Sequence, residues 1–281
     1  MLVEHIADPE QFGPVAGAFI AARESENFLM LGLIDELAQG RREGTGDPAL
    51  YVVRDEGGAI CGAALWAGYG LIVTRGTPES HAALADFLET RGTRYPMLCG
   101  PAPAASAMAI ALFDRTHRPH APGPVMRALE AREILPPSRP APGVLRPATL
   151  QDLAIAVDWN QAFSRELDMG AAANPDRVRW RIEQGRIWLW CDPEPVAMAS
   201  AVGPTPTGIR IGLVYTPPDL RRRGYASACV AELTRRLLQG GRSSVFLYTE
   251  AYNKTSNHIY ESIGYRFMGE WQEFDLNPSA S

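Results

Sequence analysis

The chain has no apolar run approaching the roughly 20 residues that a membrane-spanning helix requires, and no basic segment leading into an apolar stretch at its start. That makes the cytoplasm the expected compartment. Excess positive charge is also missing: the net charge is -5, so a broad phosphate-backbone footprint for nucleic acid is not expected. Cysteines are few. Cys61, Cys99, Cys191 and Cys229 stand far apart in apolar surroundings, with no Cys-x-x-Cys and no histidine at ligand spacing, so they read as buried free thiols and no metal is expected. What remains, 46% hydrophobic and 21% charged over 281 residues, is an ordinary folded composition with length for two domains.

The periodicity supports an α/β chain read as two similar passes. In the first, helical patterns around Phe12 to Ile20 and Phe28 to Leu37 precede apolar runs at 49–54 and 59–66, split by the turn-forming Asp55-Glu56-Gly57-Gly58. A short strand at 71–73, a helix at 78–90, a strand at 97–99 and an alanine-rich helix at 103–113 follow, and 125–135 is the closing strand expected for this domain. Prolines then cluster, and 136–143 reads as a stiff linker. The expected division is therefore 1–136, linker 137–143, and 144–281.

The second pass has the same order: a strand at 144–146, a helix capped by Thr149, a helix begun by Asn174-Pro175, strands at 187–191 and 196–202, a strand at 209–215, then helix, strand, helix and strand. An internal duplication is the natural hypothesis. The passes differ after the meander, where a strand runs into a helix. Here the second reads Thr216-Pro-Pro-Asp-Leu-Arg-Arg-Arg-Gly224, followed by Ala226, Cys229, Val230, Leu233, Leu237 and Leu238 on one helical stripe. A glycine turn feeding a helix N-terminus presents unpaired N–H groups at the positive end of the dipole, which suits a phosphate. The first pass offers Arg75-Gly-Thr-Pro-Glu79-Ser80, with one arginine and a carboxylate where the anion would sit. Its phosphate site is not expected to survive.

Arg221-x-x-Gly224-x-Ala226, followed by Asn253-x-x-Ser256-x-x-x-Tyr260-x-x-x-Gly264-Tyr265, resembles the GCN5-related N-acetyltransferase family, and the doubled order of elements is similar to its tandem members. The resemblance implies two acetyltransferase-like domains, each a mixed, mostly antiparallel sheet flanked by helices, the first degenerate. It further implies acetyl-CoA as acyl donor. Val214, Tyr215 and Thr216 would pair with its pantetheine arm, and Asn253 would bond to that arm. The loop of Arg221, Arg222, Arg223, Gly224, Tyr225, Ala226 and Ser227 would wrap the pyrophosphate, Gly224 and Ala226 being small so that backbone approaches phosphate.

The implied reaction is direct attack of a primary amine on the thioester. An amine with a pKa near 10.4 must first lose a proton, at a cost of roughly 4 to 5 kcal/mol near neutrality. A backbone N–H of Val214 or Tyr215 would polarise the carbonyl, and Tyr260 would protonate the leaving thiolate. Several relatives that modify protein N-termini carry a glutamate five residues before the motif asparagine, where this chain has Tyr248. Glu250, two residues along the strand, is the candidate base, with Glu166 and a water chain as alternatives. Trp180, Trp188 and Trp190 read as core in preference to an acceptor pocket. The expected partners are a small-molecule or peptide amine, with a homodimer allowed and neither nucleic acid nor membrane required. The competing reading is a CoA-binding or regulatory module without turnover.

Overall fold

A computed structural model describes residues 1–41, 47–68, 70–137, 140–167 and 174–278. The first half runs β1 (Leu2–Ile6), α1 (Phe12–Ala21), α2 (Glu24–Ala38), β2 (Ala49–Arg54), β3 (Ile60–Trp66), β4 (Leu71–Val73), α3 (Pro78–Thr90), β5 (Met97–Pro101), α4 (Ala102–Thr116) and β6 (Ala121–Ala131). The second runs β7 (Val144–Pro147), α5 (Leu153–Glu166), α6 (Pro175–Glu183), β8 (Ile187–Cys191), β9 (Pro195–Pro204), β10 (Gly208–Tyr215), α7 (Tyr225–Gln239), β11 (Ser244–Glu250), α8 (Lys254–Ser262) and β12 (Arg266–Asp275). Residues 138 and 139 of the expected linker lie outside the described residues.

Local chemistry sets most boundaries. The Asp55 carboxylate accepts the Ala59 N–H, and Gly58 takes a φ of +82°, closing the hairpin of β2 and β3. Thr149 and Asp152 form a capping box ahead of α5, and the Asn174 side chain accepts from the N–H groups of Asp176 and Arg177 with Pro175 in the first turn of α6. Two strong carboxylate contacts from Arg146, 2.7 and 2.8 Å, hold Asp152 far below the usual carboxylate range.

All twelve strands form one sheet, in the order β1-β2-β3-β4-β5-β12-β6-β11-β10-β9-β8-β7. Two corrections follow. The expected first domain begins with a helix, whereas β1 lies antiparallel on β2 at the sheet edge. The closing strand of the first half does not close that half: β6 pairs with β11, Val245 opposite Ala131 through Glu250 opposite Met126. Its place beside β5 is taken by β12, with Trp271 opposite Pro101. The halves thus exchange their last strands, and β6 and β12 pair with each other at the centre.

Alternation divides the core between two faces. On β2, Ala49, Tyr51 and Val53 pack under α3 and α4, while Leu50 and Val52 pack under α1 and α2. The second half repeats this, α7 and α8 on one face and α5 and α6 on the other. Helix α2 breaks the repeat by reaching across onto the second half. Phe28 stacks on Phe246 with centroids 4.9 Å apart and lies 4.5 Å from the ring of Tyr248. Gly32 packs on Gly203 so closely that a Cβ at Gly32 would fall 2.4 Å from the Gly203 Cα. Glu36 is buried between Arg177 and Arg186, at 3.3 and 3.5 Å.

Candidate functional site

The site is assembled where β10 leaves β11. Their parallel pairing covers only Gly208, Ile209 and Arg210 opposite Ser244, Val245 and Phe246. Beyond Arg210 strand β10 continues to Tyr215 with its β11-side edge unpaired. The register on β9 shifts between Gly212 and Tyr215, and Leu213 takes a φ of +50°. This bulge resets the alternation: Ile211 and Val214 face the core under α7 and α8, whereas Leu213 and Tyr215 pack beneath α5. The bulge was missed from sequence, and Gly212 inside an apolar strand is the one signal that pointed to it.

Past the strand, a turn at Pro218–Leu220 leads into the arginine loop. Arg222 and Gly224 both adopt left-handed backbone, with φ of +64° and +86°. The first helical hydrogen bond runs from the Ala228 N–H to the Gly224 carbonyl, so the N–H groups from Arg222 to Ser227 have no acceptor among the described residues. They converge at the N-terminus of the fifteen-residue helix α7. Arg221 points elsewhere. Its guanidinium bonds to both oxygens of Glu166 at 2.6 and 2.8 Å and to the Thr216 carbonyl at 2.9 Å, which ties the loop to α5. Arg223 bonds to the Asp219 carbonyl, and the Tyr225 hydroxyl donates to Asp192.

The second motif is divided between scaffold and site. Asn253 caps α8, its side-chain oxygen accepting the Ser256 N–H at 3.0 Å, which accounts for the Asn-x-x-Ser spacing by capping alone. Tyr260, one helical face further on, is buried in the same cluster as Cys229 of α7, and its ring lies edge-on to Tyr265 at 5.9 Å. Burial, and secondarily the neighbouring Cys229 thiol, pushes the Tyr260 phenol well above its ordinary pKa. It is therefore protonated at neutral pH. Burial raises Cys229 to about 12, so that thiol is not a nucleophile.

On β11, Val245 and Leu247 face the cluster containing Tyr260, and Phe246 and Tyr248 face Phe28. Alternation puts Glu250 on the Phe28 side. The acid and base candidates thus occupy opposite faces of one strand. Of the three tryptophans, Trp190 is core, bonded to the Pro142 carbonyl, and Trp188 packs against the same cluster. Trp180 is covered by the guanidinium groups of Arg41 and Arg186. Among the described residues no group of three His, Cys, Asp or Glu is placed to hold a metal, and no helix is long and apolar enough to cross a membrane.

Residues 191–274 match the family model described as FR47-like protein, a segment that spans β9, β10, the arginine loop, Asn253 and Tyr260. No curated protein matches the chain. Solved structures match over almost the whole length. One is a GNAT-family acetyltransferase of Colwellia psychrerythraea (TM-score 0.65, 11% identity, 98% of this chain and 100% of that one). Another is a GCN5-related N-acetyltransferase of Sphaerobacter thermophilus (TM-score 0.64, 16% identity, 99% and 97%). A third is a tandem GNAT protein from the clavulanic acid biosynthesis pathway (TM-score 0.59, 12% identity, 99% and 100%). The parted strands, the bulge and the open helix N-terminus lie inside the segment that matches the FR47-like model, and the whole chain shares its fold with these solved structures, a tandem GNAT protein among them.

Proposed function

We propose that the chain transfers the acetyl group of acetyl-CoA to a primary amine and that its C-terminal half does the chemistry. The observation that carries this reading is the unpaired edge of β10 beside a helix N-terminus whose N–H groups have no acceptor. A long, amide-bearing, pyrophosphate-containing ligand fits that pair of features: the backbone of Val214 to Thr216 takes the arm, and the N–H groups of Arg222 to Ser227 take the phosphates. When bound, acetyl-CoA supplies the activated thioester.

The remaining work belongs to side chains. Glu166 is engaged by Arg221, so Glu250, on the Phe28 side of β11 with the Tyr252 hydroxyl as its hydrogen-bond partner, is the group proposed to remove the amine proton, directly or through water. Tyr260 gives its proton to the leaving sulfur from the other face. A backbone N–H at the bulge, Val214 or Tyr215, polarises the carbonyl. The N-terminal half is degenerate as a catalyst and contributes α2 as a wall of the acceptor side. All four cysteines are free, which suits a reducing compartment such as the cytoplasm.

Calorimetry with acetyl-CoA and a CoA-release assay against a panel of amines test the reading. One acetyl-CoA per chain is expected, and Tyr260→Phe should lower kcat by about 10²- to 10⁴-fold with an unchanged dissociation constant. Binding without CoA release for any amine would make the chain a non-catalytic CoA-binding module. Absence of binding would end both readings.

A further inference from the structure

Three buried polar atoms lack hydrogen-bond partners within one small region, the face of β9, β10 and β11 that α2 covers. They are Arg210 Nε, Ser200 Oγ and the Tyr248 hydroxyl. Arg210 is the last residue of β10 paired with β11, and the guanidinium leans along the strand over Gly212, where a Cβ would lie 3.3 Å from its Nη1. Gly212 is cross-strand partner to Ser200, a fully buried residue, so Ser200 Oγ faces the same spot. Tyr248 arrives from β11 beneath Phe28. The nearest carboxylate of the region, Glu36, is committed to Arg177 and Arg186. Arg210 itself has no carboxylate at ion-pairing distance among the described residues.

A half-buried guanidinium whose Nε is buried beside two hydroxyls, with no carboxylate at ion-pairing distance, is a poor structural element, because an unpaired charge out of water is strongly unfavourable. It is a good receptor for one planar anion, which a guanidinium fork matches in shape and charge. Its position sets what that anion belongs to. The guanidinium lies over Gly212, two residues before Val214, and at ~3.3 Å per residue this is on the order of 7 Å from the bulge where the acceptor amine must arrive.

Resting on the acetyl-transfer reading, we propose that Arg210, Ser200 and Tyr248 form a carboxylate-binding subsite in the acceptor cleft, and that the acceptor is an ω-amino acid, its amine several bonds from its carboxylate. One guanidinium fork and two hydroxyls match one carboxylate group, with Glu36 and Arg181 acting on Arg210 in opposite senses. Burial pushes Arg210 down and Tyr248 up from their ordinary pKa values, as expected of groups waiting for an outside partner.

Matched acceptors test the subsite in the full-length protein: 5-aminopentanoate against pentylamine with acetyl-CoA. The expected kcat/KM favours 5-aminopentanoate by at least ~10²-fold, because the amine alone leaves buried polar groups unpaired. Arg210→Met should abolish the preference, mainly through KM, and Ser200→Ala should weaken it. Independently of turnover, pentanoate should raise the Tm of the wild type and leave that of Arg210→Met unmoved. No preference between the two acceptors, or a preference that survives Arg210→Met, overturns the subsite. A Tm rise given equally by chloride, without acceptor preference, makes it a structural anion site and overturns the assignment to acceptor. Acetyl-CoA binding measured in parallel separates the two failures. Binding with no carboxylate preference ends the subsite alone, and no binding ends the acetyl-transfer reading along with it.

Discussion

Helices α3 and α7 follow the fourth strand of their respective halves, yet their first turns treat an approaching anion in opposite ways. At α3, Thr77 caps the helix, its hydroxyl oxygen 3.2 Å from the Ser80 N–H, and Glu79 places a carboxylate in the second helical position. The connection from β4 is four residues, and a Cβ at Gly76 would collide with Ser80 Oγ. At α7 the cap is Gly224 in left-handed backbone, the second helical position is Ala226, and no side chain takes the N–H groups. Strand spacing differs in the same sense: at the end of β4 a Cβ on Gly100 would meet the Val73 carbonyl at 2.7 Å, whereas β10 runs on from Arg210 to Tyr215 without β11 beside it. The same fold position is therefore closed in one half by a hydroxyl and a carboxylate and left open in the other by a glycine and an alanine.

The largest effect should come from moving the closed feature onto the open site. Ala226→Glu puts a carboxylate where α3 has Glu79, and like-charge repulsion of several kcal/mol should weaken acetyl-CoA by more than ~10²-fold in calorimetry. Gly224→Ala keeps the site bare but forces a side chain into left-handed backbone. A loss of about 1 to 2 kcal/mol is expected in urea unfolding, with weakened acetyl-CoA binding. Thr77→Ala should cost about 1 kcal/mol of stability and leave acetyl-CoA affinity and a stoichiometry of one untouched. A second bound acetyl-CoA in that variant would break the comparison. The smallest effect is expected of Glu166→Gln, an exposed pair worth under about 1 kcal/mol, with Arg221 still held by the Thr216 carbonyl. A large loss of CoA release there would instead reinstate Glu166 as the base.

The open site was legible in sequence because its causes are local. A proline-rich stop, a glycine and an apolar stripe at helical spacing fix β10, the loop and α7 within a few residues. The spacing that singled out Tyr260 puts it in the buried cluster with Cys229, and Asn253 caps α8, its side-chain oxygen occupied by that cap. Strand β1 escaped because five residues with Glu4 and His5 at their centre carry no turn signal and sit at a half-exposed edge. Arg210 escaped because a single arginine in Ile-Arg-Ile-Gly reads as the solvent side of a strand until α2 is seen lying over it. The partners of β6 and β12 were illegible for a deeper reason: alternation specifies which face of a strand is buried and leaves open which strand lies beside it.

That exchange gives the protein an order of assembly. Strand β5 is finished early in synthesis, but its neighbour β12 comes after every other described strand and helix, and β6 waits likewise for β11. At ~5–20 residues per second, the unpaired edge of β5 stays open for roughly ten seconds or more on the ribosome. Neither half can close its sheet from its own strands, so the chain should fold as one late, cooperative event, and a nascent chain stopped before β12 is an aggregation hazard at two edges.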